Sequence, residues 1–248
     1  MRVLTGESVL TAWERGLETS PERAALAALA LAEPERAPDD LARLPLGERN
    51  ARLLELLAAT RGRRLAGFTQ CERCGAKLEF AFDSVDLAND LRARIGAMAQ
   101  AAAVARLRPA NTLDLLAAAH AKDEAEARSI LLARTLCFDA ASADDESEKS
   151  GGRWLARQPA NVVESIEEAF ESVNAAAEIR AQFQCAACGD AAVVDVDPAY
   201  FLVDEISRAA RRLLQDVHEL ACSYGWSEEA ILAMSDARRS AYLELLRA

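Results

Sequence analysis

Apolar residues recur along most of this chain at three- and four-residue intervals, the period of a helix that buries one face. Val9, Leu10, Trp13 and Leu17 predict a first helix over 8–17. Ser20-Pro21-Glu22 is an N-cap followed by proline at the first helical position, opening an alanine–leucine helix that runs to about Ala32. Pro34, Pro38 and Pro45 punctuate a link, and leucines 53, 54, 56 and 57 predict a helix over 48–60 that Gly62 stops. Arg61, Arg63 and Arg64 complement the negative end of that helix and read as solvated surface. Further helices are expected over 86–99, 113–119, 124–136 and 161–174, then over about 200–223 with Leu202, Ile206, Ala209, Leu213, Val217 and Leu220 as its buried stripe. Ser227 and Ser235 cap two short helices that close the chain.

The helical period is broken by short β-prone runs at 65–69, 77–82, 179–183 and 192–196. Residues 104–108 also alternate like a short strand, and the acidic Ser/Asp/Glu-rich stretch 140–152 reads as a mobile loop. The four runs flank Cys71-Glu-Arg-Cys74-Gly75 and Cys185-Ala-Ala-Cys188-Gly189. A strand, a Cys-x-x-Cys-Gly turn and a returning strand form a zinc knuckle, in which the tight turn aims two thiolates at one metal and glycine accepts the positive φ. Two knuckles supply the four soft ligands of one tetrahedral structural zinc ion, so Cys71, Cys74, Cys185 and Cys188 are the expected metal ligands.

The spacing is unusual, because 110 residues (75–184) separate the pairs, against about 12–20 in ordinary zinc modules. Loop-closure entropy grows only logarithmically with length, so an apparent zinc affinity of about 10–16 kcal/mol covers it. Redox-active dithiols normally precede a helix, whereas strand-like sequence follows both pairs here. A disulfide reading lacks the apolar leader of a secreted chain after Met1. Cys137 and Cys222 lie in apolar helical stretches and are expected to pack as small buried hydrophobes.

Composition narrows the function classes. The 248 residues are 51% hydrophobic but only 5% aromatic, with much alanine, which favours a helical protein. A net charge of −11, from 29 basic and 40 acidic residues, argues against general binding to nucleic acid or anionic membranes. No apolar run approaches the roughly 20 residues needed to span a bilayer, so a soluble cytoplasmic protein is expected. A closed four-thiolate site has no open position for water, and the chain has no His-Glu-x-x-His, phosphate-binding glycine loop or Gly-x-Ser-x-Gly. His120 and His218 read as satisfied helix residues, His218 in a core or interface. Nothing in these residues argues for catalysis or a small-molecule substrate.

Several segments carry a family resemblance. Trp13-Glu-Arg-Gly-Leu17, Leu44-Pro-Leu-Gly-Glu-Arg-Asn-Ala-Arg-Leu-Leu54, the two knuckles, and Val217-His-Glu-Leu-Ala221 through Tyr224-Gly-Trp226-Ser-Glu-Glu-Ala-Ile231 resemble proteins encoded in contractile phage-tail-like injection-system clusters. These are similar to the baseplate hub assembly chaperones of large contractile-tailed phages. Leu107-Arg-Pro109-Ala-Asn-Thr112-Leu-Asp114-Leu resembles the family's Leu-Pro-Thr-x-x-Asp-Leu stretch but carries a longer turn. The resemblance implies a non-enzymatic assembly or structural role in a bacterial cytoplasm or an assembled particle, with baseplate or tail proteins as partners.

The expectation is therefore a mainly α protein with small β-hairpins (α+β), a helical body stapled by a split zinc-ribbon-like four-cysteine site. It comprises an N-terminal helical segment (1–64), a split knuckle module (65–84 and 179–197), an inserted mostly helical lobe (85–178) and a C-terminal three-helix segment (198–248). The metal is expected to fix the N-terminal helices against the C-terminal segment. Trp13 and Trp226 are candidate contact points for partners, with core packing as the competing fate. A zinc-ribbon DNA-associated adaptor and a thiol-redox protein are the alternative functions.

Overall fold

The computed structural model describes residues 1–105, 107–137 and 145–247. The first four helices are α1 (Glu7–Gly16), α2 (Pro21–Ala32), α3 (Pro38–Ala42) and α4 (Leu46–Arg61). Ser20 caps α2 through its side chain, which accepts from the Arg23 amide, and Gly62 ends α4 with φ of 93°. Strands β1 (Arg64–Gln70) and β2 (Lys77–Asp83) pair antiparallel, with Arg64 opposite Asp83 and Gln70 opposite Lys77. Next come α5 (Ser84–Ala105), α6 (Thr112–Ala118), α7 (Glu124–Thr135), α8 (Asp145–Leu155) and α9 (Ala160–Asn174). A second antiparallel hairpin, β3 (Arg180–Gln184) and β4 (Ala191–Asp195), leads into α10 (Pro198–Tyr224), α11 (Glu228–Leu232) and α12 (Asp236–Arg247).

One leucine-rich core makes the body. Leu10, Leu29, Leu53, Leu54, Leu57 and Leu91 bury against Leu202, Ile206, Ala210 and Leu213, which joins α1, α2, α4 and the start of α5 to α10. Ala210, rather than Ala209, completes the buried stripe of α10, because it continues the four-residue spacing from Leu202 and Ile206. Both hairpins root in this core through Leu65, Ile179 and Val196. A separate cluster of Leu107, Leu132, Ala133, Leu136 and Leu155 forms the interior of the inserted lobe. A third, Leu220, Ile231 and Leu243, holds α11 and α12 on the end of α10. Hydrophobic burial thus fastens the N-terminal helices to α10 directly, in addition to anything the cysteines contribute.

Four local expectations are corrected. Residues 145–152, assigned to a mobile loop, are helical within α8, and residues 138–144 lie outside the described residues. The anchor is Leu155, with Trp154 packed beside it, three residues past the acidic stretch. Gly151 lets the helix lie close on α7: a Cβ there would stand 2.2 Å from the Ala133 carbonyl oxygen. Residues 104–105, expected in a strand, extend α5, as the preceding alanines favour. Leu107 keeps a β contact, as an isolated bridge to Leu136. The proline-marked link contains the short helix α3, begun by Pro38 at its first position. Cys137 and Cys222 are exposed rather than buried, and His218 is exposed rather than in a core.

The lobe is organised around one buried carboxylate. Asp114 has 0% side-chain exposure and lies 2.6 Å from Arg108 Nη1 and 3.0 Å from Arg134 Nε. It also closes a capping box with Asn111, whose side chain accepts from the Asp114 amide. Burial pushes the Asp114 carboxyl up, but the hydrogen bond and charge of Arg108 outweigh it and hold the group below its ordinary value. A depressed carboxyl pKa stabilises the fold above the unfolded value of about 3.9 and ceases to do so as pH falls through the folded value. Asp114→Asn, which removes the buried carboxylate that Arg108 and Arg134 share, should cost about 3–5 kcal/mol at neutral pH. In urea titrations its deficit should shrink below about pH 4; a deficit independent of pH contradicts the ion-pair account.

Candidate metal centre

The same turn is built twice. In the first, the Cys71 amide donates to the Ala76 carbonyl at 2.9 Å, and the Gly75 amide donates back to the Cys71 carbonyl at 2.8 Å. In the second, the Cys185 amide donates to the Asp190 carbonyl and the Gly189 amide to the Cys185 carbonyl, both at 2.8 Å. Gly75 and Gly189 take φ of 71° and 75°, in the left-handed region that a side chain would strain. Each turn therefore presents both of its sulfurs to the same side.

The two turns face each other. All four sulfurs of Cys71, Cys74, Cys185 and Cys188 lie within 4.8 Å of one another. The 3.7 Å approaches cross between hairpins, Cys71 to Cys188 and Cys74 to Cys185. That distance is far longer than the roughly 2.05 Å of a disulfide. It is close to the roughly 3.8 Å edge of a tetrahedron of sulfurs held about 2.3 Å from a central metal. The four cysteines could hold a metal ion. Cys71 and Cys185 are 3% and 2% exposed, Cys188 is half-buried, and Cys74 is open to solvent. Leu78, Ala192 and Phe183 pack around the cluster, and Arg73 reaches Asp190 across the two turns at 3.7 Å.

The electrostatics favour a cation at the centre. Amide hydrogen bonds from Cys188 and Ala187 draw the Cys185 thiol down to about 7. The Asp190 amide acts on Cys188 in the same direction, but burial and the crowding of Cys74, Cys185 and Cys71 overcome it and push that thiol up to about 12. Cys74 is raised as well: the amide of Ala76 and the thiol of Cys188 lower it, against burial and the neighbouring thiols of Cys185 and Cys71. Four thiols this close cannot all ionise without a positive charge among them, and a divalent metal supplies it while displacing their protons.

No family model, curated protein or solved structure matches this chain. Among the described residues, no helix is long and apolar enough to cross a membrane.

The other singled-out residues lie elsewhere. Trp13 is half-buried against the body core. Trp226 is half-buried in the C-terminal cluster, stacked on Tyr224 at 4.5 Å and edge-on to Tyr242 at 4.8 Å. His218 and Cys222 share the outer face of α10, with the sulfur 3.8 Å from His218 Nδ1. Each sits two residues from Leu220, about 200° around the helix from the buried stripe. Sequence reasoning did not single out Arg73–Asp190, whose charges sit at matching knuckles but whose pairing depends on the face-to-face arrangement.

Two outcomes check this centre. In metal-loaded protein, Cys137 and Cys222 should alkylate rapidly while the four clustered cysteines resist until a chelator is added; mass mapping of the modified peptides distinguishes the sets. Cys188→Ser should lose the metal on dialysis and expose both hairpins to amide hydrogen exchange while the α4–α10 core stays protected. Full metal retention by that variant counts against four-cysteine ligation.

Proposed function

We propose that this chain is a non-enzymatic, zinc-stabilised assembly or structural protein of a contractile phage-tail-like machine, acting at its baseplate. The observation that carries the structural-zinc part is the convergence of four thiolate donors from remote hairpins. An all-sulfur, tetrahedral donor set suits zinc better than magnesium or calcium, which select oxygen. With four protein ligands no position is left for water or substrate, so the ion holds the fold and performs no chemistry. The reading of partner and machine rests on the resemblance in the segments around Trp13, Leu44–Leu54 and Val217–Ile231. These segments lie on α1, α4, the end of α10 and α11, so baseplate or tail proteins would meet the body and the C-terminal cluster, with Trp13 and Trp226 as contact candidates. The chain would work in the bacterial cytoplasm or within the finished particle.

Purified protein should contain about one zinc per chain by elemental analysis, as one four-ligand site requires. In a strain that produces the particles, deleting the gene should abolish or truncate them as seen by electron microscopy, and the wild-type gene should restore them. Normal particles from the deletion strain would defeat the assembly reading. Salt-sensitive retention on duplex DNA would instead promote a DNA-associated adaptor.

A further inference from the structure

Near the start of α4 a buried charge lacks a counter-ion among the described residues. Arg49 is 4% exposed. Its Nε and Nη2 lie 3.1 and 2.8 Å from Asn50 Oδ1, and its Nη1 lies 3.4 Å from Thr112 Oγ1. These are neutral acceptors, and they engage three of the five donors that a guanidinium offers. Among the described residues, no carboxylate comes within ion-pair distance of Arg49. Burying an ion without a counter-ion is costly, and a neutral side chain could tie α4 to the turn at Thr112 without that cost.

Arg49 lines a cavity of about 420 Å³ where α4, α9 and the root of the second hairpin meet. Phe170 and Ile179 supply apolar wall, and Glu22 and Asp197 supply carboxylates; the lining also holds Arg180, which pairs with its neighbours Glu178 and Asp195 at 3.1 and 3.2 Å. Those two acids act on Arg49 through space without touching it. Asp197 is held by its cap bond from the Ala199 amide at 2.9 Å, so it cannot swing over to pair with the guanidinium without uncapping α10. Apart from the mutually paired Arg180, Glu178 and Asp195, the cavity presents one guanidinium and two acids, and is therefore bipolar. A lone anion is opposed by the acids and a lone cation by Arg49. A ligand that carries both charges is opposed by neither.

We infer that this cavity receives a short peptide segment of a partner chain bearing a carboxylate next to a cationic side chain. The carboxylate completes the Arg49 fork, and the cation lies against Glu22 and Asp197. A planar guanidinium with free donors suits a carboxylate better than an ammonium would, and the volume matches a site for a few side chains. The inference depends neither on the identity of the metal nor on the machine to which the partner belongs.

The test uses the full chain with its Arg49 Nε–H signal followed by NMR at constant ionic strength. The probe is an N-acetyl, C-amide Lys-Glu dipeptide, compared with its Lys-Gln counterpart and with acetate. The expected result is a saturable shift with Lys-Glu and at least tenfold weaker responses with Lys-Gln and acetate. Glu22→Gln, a change at a partly exposed position near the start of α2, should weaken the Lys-Glu response several-fold while leaving the spectrum of the fold intact. No saturable shift, or equal shifts with Lys-Glu and Lys-Gln, would overturn the proposal. Acetate binding as strongly as Lys-Glu, or an unchanged response in Glu22→Gln, would overturn its bipolar form.

Discussion

The packing of α10 against α4 is the constraint on which the rest depends. Only Gly62 and Arg63 separate the end of α4 from β1, and only Val196 and Asp197 separate β4 from the start of α10. Two helices that bury leucines against each other therefore release their hairpins side by side. The sulfurs meet because the core has already brought their supports together, and a metal bound there would latch an encounter that hydrophobic burial prepares. Most of the entropy of closing the long intervening loop is thus offset by the helical body.

The hairpins themselves are the part that a metal would stabilise most. Each is a two-stranded sheet of five to seven residues per strand, which is marginal alone in water. Their shared interior amounts to Leu78, Ala192, two buried cysteines and a few partly buried neighbours. A tetrathiolate centre would replace the apolar core that so small a module cannot build. The knuckle interior is a cluster separate from the leucines of the body, so loss of a bound metal would strike the knuckles first.

Directional polar contacts cross the junction between body and lobe. The Leu46 amide donates to the Ala110 carbonyl at 2.9 Å and Asn50 donates to the Ala177 carbonyl at 3.0 Å, while within the lobe Asn174 Oδ1 accepts from the Ala110 amide at 2.8 Å. Directional bonds of this kind fix the lobe's orientation more than they add stability. Arg49 belongs to this junction but is only partly satisfied by it, which marks it as a candidate recognition residue.

Much of the candidate site was legible in one dimension. Each Cys-x-x-Cys-Gly turn is local chemistry, and so are the caps at Ser20, Asn111 and Ser227 and the leucine periods of α4 and α10. The misreadings fall where burial is decided by a neighbour. The acidic stretch becomes a helix because Leu155 lies in the lobe core and Gly151 admits α7. Cys222 and His218 are exposed because no element among the described residues covers that side of α10. Residue types, periods and turn chemistry determined the elements and the ligand set, since those depend on interactions within a few residues. Which sulfurs pair across the gap, which face of each helix is dry and where Arg49 is buried among neutral acceptors were decided only in three dimensions, because such contacts join residues that the chain keeps far apart.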